Sequence, residues 1–149
     1  MAARKKNSSY RLKLPADSAN LVLIRQFVSG IAMEMGFDED GVDQIQLAVD
    51  EACANVVKHA YSSDNANGAQ HLINVTVRKK ADKIEITVAD KGSGFNADGL
   101  QSPDMDEYLE ERKKGGLGVH LIRTFMDKVT FRMQPGIRNE VKMIKFLQK

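Results

Sequence analysis

The stretch from Gly41 to Tyr61, GVDQIQLAVDEACANVVKHAY, constrains this chain more than any other. At 100° per residue, Val42, Ile45, Val49, Ala52, Cys53, Val56 and Ala60 fall on one side, the spacing of a helix packed against a sheet. A second side carries Glu51, Asn55 and His59 at i, i+4 and i+8, with Lys58 beside them. A carboxylate, a carboxamide and an imidazole on successive turns are not the Glu–Lys pairs of an ordinary solvated face. The stripe is either polar surface or one wall of a site, and the helix alone leaves both readings open.

The rest of the chain has to supply what that helix packs on. With 149 residues, one domain over 1–149 is expected, burying about two-thirds of its unfolded surface. The 42% hydrophobic and 28% charged content is that of a globular chain rather than a disordered one. Its 22 basic and 20 acidic residues leave a formal charge of +2. Nucleic acid is therefore not expected as a partner, since it usually demands a clustered basic surface. No apolar run is long enough to span a membrane. The basic start MAARKKNSS lacks the apolar core of a secretory signal, so a cytoplasmic protein is expected, with residues 1–9 disordered. Cys53, the single cysteine, lies on the apolar helix face and reads as a small core residue rather than a nucleophile.

In chain order, Tyr10, Leu12 and Leu14 alternate with Arg11 and Lys13 as a short strand that Pro15 ends. Asp17 or Ser18 can cap a helix carrying Leu21, Ile24, Phe27, Val28, Ile31 and Met35, which Gly36 stops. Ser62–Gln70 is a loop by composition. Leu72–Val77 and the alternating Ile84, Ile86 and Val88 predict a hairpin around KKADK. Residues 96–114 have few large apolar side chains and much charge, as expected of a lid-like loop. A helix with Leu117, Leu121, Ile122, Phe125 and Met126 on one side comes next. Two closing strands meet at Pro135-Gly136, and the last places Val141, Met143, Lys145 and Leu147 on one face. The order β-α-α-ββ-lid-α-ββ predicts an α+β fold, a two-layer sandwich with a mixed, mostly antiparallel sheet covered by helices on one face.

Two glycine motifs bear on the open question. The second hairpin strand runs into Asp90-Lys91-Gly92-Ser93-Gly94. A strand ending in DxGxG sets a carboxylate at a cleft edge, and the glycines let a flat ligand lie on backbone. A carboxylate accepts hydrogen bonds only, so it would select a ring amino group such as that of adenine. The bland alternative is an Asx-type turn. Gly115-Gly116-Leu117-Gly118 opens the next helix, where backbone N–H groups and the helix N-terminus could cradle phosphate; a simple hinge is the alternative. Neither a Walker loop nor a GxGxxG leaving a strand is present. His59, His71 and His120 are scattered and accompany no second cysteine, which gives zinc no support.

Taken together, ExxxN on a helix, a strand ending in DxGxG, a charged lid and GGLG opening a helix occur in the order seen in the GHKL ATPase superfamily. The chain resembles that superfamily from Leu12 to Leu147 and has its histidine-kinase-like ATPase fold as the expected architecture. VDEACANVVKHAY, ITVADKGSGF and GGLGVHLIRTFMDKV look most like the stand-alone anti-sigma factor serine kinases of bacterial partner switches.

The resemblance implies roles for individual residues. Glu51 would be the general base that takes the proton of a partner's serine or threonine hydroxyl, and Asn55 would hold Mg²⁺ on the phosphates of ATP. His59 would lie near the nucleotide. Asp90 would accept from the adenine amino group, with Gly92 and Gly94 lining the base. Gly116, Leu117 and Gly118 would turn N–H groups to the phosphates under a lid of residues 96–114. A helix puts Glu51 and Asn55 about 6 Å apart, so one γ-phosphate could face both. Many members carry a threonine on the last strand that reaches adenine through water, and Glu140 aligns there. The implied partners are an anti-anti-sigma antagonist, phosphorylated as substrate, and a sigma factor. A homodimer is also implied, with Leu21–Met35 and its exposed Arg25 contributing to such surfaces. An ATP-binding switch module with another output is the second reading, and a piece of a larger ATPase a third. The third is disfavoured by the missing phosphoacceptor helix and transducer domain.

Overall fold

The computed structural model describes residues 7–60, 71–91, 118–134 and 136–148. Strand β1 (Ser8–Pro15) leads through a 3-10 turn at Ser18–Asn20 into α1 (Leu21–Met35) and α2 (Glu39–Asn55). The hairpin β2 (Leu72–Lys79) and β3 (Lys83–Asp90) comes next, then α3 (Gly118–Phe125) and the hairpin β4 (Lys128–Gln134) and β5 (Arg138–Phe146). The strands form one sheet in the order β1-β2-β3-β5-β4. All four pairings are antiparallel, so the sheet is not mixed among the described residues.

Local chemistry accounts for the boundaries. The Asp17 carboxylate caps the 3-10 turn, accepting from Ala19 N–H at 2.9 Å. Gly36 ends α1 at φ 103°, where a side chain would be strained. Asp38 caps α2 by accepting from Gly41 N–H at 2.7 Å, with Glu39 and Asp40 in the first turn. The helix thus starts two residues before the expected Gly41. The strand at the chain's start opens at Ser8, so the expected disorder of residues 1–9 does not extend to Ser8 and Ser9.

Register decides which side of the sheet is covered. Leu12 pairs with Val75, Val75 with Val88, and Val88 with Val141. That row, with Ile73, Val77, Ile84, Ile86 and Met143, meets Ile24 and Val28 of α1, Ile45 and Val49 of α2, and Ile122 of α3 in one core. Since the side-chain period of a strand is two, the neighbouring residues all lie on the opposite face, which no described helix covers and which is called the uncovered face below. Cys53 is 0% exposed within this core, and burial pushes its thiol far above the ordinary range, as a structural cysteine requires.

Candidate functional site: a carboxylate and carboxamide wall beside a buried aspartate

The apolar side of α2, with Ile45, Val49, Ala52 and Cys53 buried, fixes the helix on the sheet and turns Asp50, Glu51 and Asn55 half-outward. Glu51 and Asn55 are successive-turn neighbours, as expected. α2 ends at Asn55 and gives way to a π-helical turn, Val56–Ala60. In that turn the i→i+5 pattern replaces i→i+4. The His59 side chain lies outside the described residues. Such π turns within helices frequently mark functional sites.

The Glu51 carboxyl is raised above its ordinary value, first by partial burial and then by the negative charge of Asp50, with Lys58 opposing. Asp50 is itself tied down. Arg25 Nε of α1 donates to its two oxygens at 3.1 and 3.0 Å. Arg25 is therefore not a free surface cation but a half-buried link between α1 and the residue preceding Glu51.

Asp90 is the last residue of β3 and is 5% exposed. A carboxylate so enclosed needs donors. One comes from β5: Asn139, 2% exposed, donates its amide N–H to Asp90 Oδ1 at 3.2 Å. The two residues are paired in register. Glu140, aligned with the family's threonine, pairs with Ala89 on the uncovered face and binds Arg138 at 2.9 Å. The last-strand residue that faces Asp90 is Asn139, one position earlier. The signal was present in the alternation, because Val141 and Met143 point inward and a two-residue step back reaches Asn139.

Gly118 is the first residue of α3. Ile122, with Met126 just beyond the helix, packs into the core, and Lys145 Nζ donates to the Phe125 carbonyl at 2.9 Å, a favourable cation at a helix C-terminus. Gly92, Gly94, Gly116, Leu117 and the 96–114 segment lie outside the described residues. The fold thus presents Glu51, Asn55 and Asp90 on α2 and β3, which share one core.

Among the described residues there is no group of three or more His, Cys, Asp or Glu side chains able to hold a metal. Mg²⁺ uses one or two protein oxygens and takes the rest from phosphate and water. The Asn55 amide oxygen, half-exposed and one turn from a carboxylate, is a hard ligand of the suitable kind. No helix among the described residues is long and apolar enough to cross a membrane.

Comparisons with known proteins agree with this fold. A solved structure of the RsbU and RsbW domains of a Mycobacterium tuberculosis protein superimposes with a TM-score of 0.66 at 15% identity, over 95% of this chain. This chain spans 33% of that one, and the likeness concerns the fold. The Staphylococcus aureus serine-protein kinase RsbW is 34% identical over 148 residues, 97% of this chain and 90% of the relative. The Bacillus licheniformis protein of that name is 37% identical over 142 residues, 93% and 85% of the two chains. The model of the histidine kinase-like ATPase domain matches residues 14–145. With the matched span and these relatives in agreement with the fold, this chain belongs to the histidine kinase-like ATPase domain family.

Proposed function

We propose that this protein is an ATP-dependent protein serine kinase of the anti-sigma type, acting on an antagonist protein in a partner switch. The observation that carries the proposal is the α2 wall, where Glu51, held above its ordinary pKa, sits one turn from Asn55. A base tuned upward toward neutrality accepts a proton more readily in the transition state. Glu51 takes the proton of the antagonist's serine hydroxyl, whose oxygen forms a bond to the γ-phosphorus as the bond to the ADP oxygen breaks. Asp90, oriented by the Asn139 amide, accepts from the adenine amino group. Mg²⁺, held by Asn55, would supply charge neutralisation on the phosphates. The N-terminus of α3 at Gly118 adds backbone N–H donors for phosphate. The names of the relatives support the kinase reading.

Two substitutions test it together. Asn55→Ala abolishes Mg-ATP binding, whereas Glu51→Ala keeps binding and loses transfer of labelled phosphate to a serine-bearing antagonist encoded nearby. A Glu51→Ala protein that still phosphorylates the antagonist removes the base assignment. Intact protein that binds ATP and phosphorylates no antagonist removes the kinase assignment and leaves an ATP-binding switch module.

A further inference from the structure

The total charge of +2 conceals a strong segregation. Helix α2 carries Glu39, Asp40, Asp43, Asp50 and Glu51 and no lysine or arginine. The uncovered face of the sheet is the reverse. Arg11 and Lys13 of β1, Arg78 of β2 and Arg132 of β4 are all exposed there. Among the described residues none of these four is ion-paired with a carboxylate. The two carboxylates within the strands of that face are already engaged: Glu85 by Lys80 at 2.8 Å and Lys142 at 3.5 Å, Glu140 by Arg138 at 2.9 Å. The cations of this face therefore exceed its anions and await an external one.

What lies between the cations narrows the kind of anion. Register places Arg11 opposite Thr76, Thr76 opposite Thr87, Thr87 opposite Lys142 and Lys142 opposite Thr130. This row runs straight across the sheet, roughly 19 Å from β1 to β4 at about 4.8 Å per strand. It consists of hydroxyls flanked by cations and has no apolar anchor. A protein partner would be expected to find a buried aromatic or aliphatic centre here, whereas hydroxyls with arginines and lysines are the groups that contact phosphate and sugar. At one end of the face Phe146 is 36% exposed, with Lys83 Nζ 5.9 Å and Lys128 Nζ 5.7 Å from its ring centroid. An exposed ring with two ammonium groups beside it offers a base a stacking surface and its phosphates a countercharge.

We propose that the uncovered sheet face binds single-stranded nucleic acid, laid across the strands along the Arg11–Thr130 row. An open sheet face suits an extended strand better than a duplex, whose grooves need an element that protrudes into them. A second copy of this chain is disfavoured on the face by like charge.

The test is fluorescence anisotropy of the full chain with a labelled 20-nucleotide single strand, the matching duplex, and polyglutamate as competitor. Four external cations imply a log–log salt slope near −3, or about 50-fold weaker binding at 200 mM than at 50 mM salt. The triple variant Arg11→Gln, Arg78→Gln, Arg132→Gln binds more than tenfold more weakly while its melting temperature and ATP binding stay at wild-type values. Phe146→Leu weakens single-strand binding further with no change in salt slope. Absence of single-strand binding at 50 mM salt overturns the proposal, as does unchanged binding by the triple variant. Tighter binding of the duplex, or displacement by polyglutamate as effective as by unlabelled strand, also overturns it, the latter in favour of an acidic protein.

Discussion

Replacing Asn139 with alanine separates two uses of one hydrogen bond. In the folded protein the Asn139 amide donates to Asp90 Oδ1 at 3.2 Å, and both side chains are almost fully enclosed, at 2% and 5% exposure. A hydrogen bond to a charged acceptor contributes about 1.5–3 kcal/mol, so the variant loses stability of that order. The effect on ATP is smaller and has a different origin. Without the amide, the Asp90 carboxylate loses one of the bonds that orient it, and more of its order has to be restored when adenine binds. Ordering one such side chain costs about 0.5–1.5 kcal/mol, which corresponds to ATP binding about 2- to 12-fold weaker. Thermal melts and calorimetric titration with ATP measure the two separately. Asn139→Asp provides the complementary test. Two adjacent carboxylates would share a proton, the protonated form donating as the amide does, so this variant's ATP affinity falls as pH rises. An Asn139→Ala protein that melts with the wild type and binds ATP with undiminished affinity refutes the positioning role.

Glu85 provides a pH signature of the sheet. Burial alone would raise its carboxyl, but the Lys80 hydrogen bond and the charges of Lys142 and Lys80 outweigh this and hold it below the ordinary value. A depressed carboxyl stabilises the fold above the ordinary carboxylate range, and that contribution is lost as pH falls through the folded value. Glu85→Gln therefore costs about 1 kcal/mol at neutral pH and flattens the acid limb of the stability curve, read by urea melts between pH 3 and 7. Cys53, enclosed and held as a thiol, does not react with a thiol reagent in the native protein and reacts at once in denaturant. Rapid native labelling would show that the helix is not packed as described.

The architecture was legible because its signals are periodic. The 3.6-residue spacing of Val42, Ile45, Val49 and Val56 and the alternation of Ile84, Ile86 and Val88 each report one buried face, and the structure buries all of them. Long-range facts were less legible. The ion pair between Arg25 and Asp50 joins residues 25 apart in sequence, and nothing local in α1 announces it. Likewise, Glu140 was assigned by motif alignment, where a slip of one residue moves a side chain through the sheet. Parity is the firmer guide on a strand, and it selects Asn139. The π turn after Asn55 was invisible to a projection that assumes 100° per residue throughout. Net charge was silent on distribution, since a sum over 149 residues discards the segregation that the alternating strands build in.

The Arg25–Asp50 pair gives α1 a means of acting on the chemistry of α2, and two substitutions of opposite sign expose it. Asp50 raises the Glu51 carboxyl by like charge, second only to burial. Neutralising it in Asp50→Asn removes that contribution, so Glu51 ionises at lower pH and the acid limb of the phosphotransfer profile moves down. Arg25→Ala does the opposite. It takes away the guanidinium that Asp50 holds at 3.0 and 3.1 Å, leaves the aspartate charge uncompensated beside Glu51, and moves the limb up. Because Arg25 acts through Asp50, the double variant follows Asp50→Asn. A merely structural role for the pair would lower stability in both single variants and shift the limb in neither. Two shifts in the same direction would break the electrostatic chain at Asp50, since one carboxylate cannot raise its neighbour's pKa both when it is bare and when it is gone.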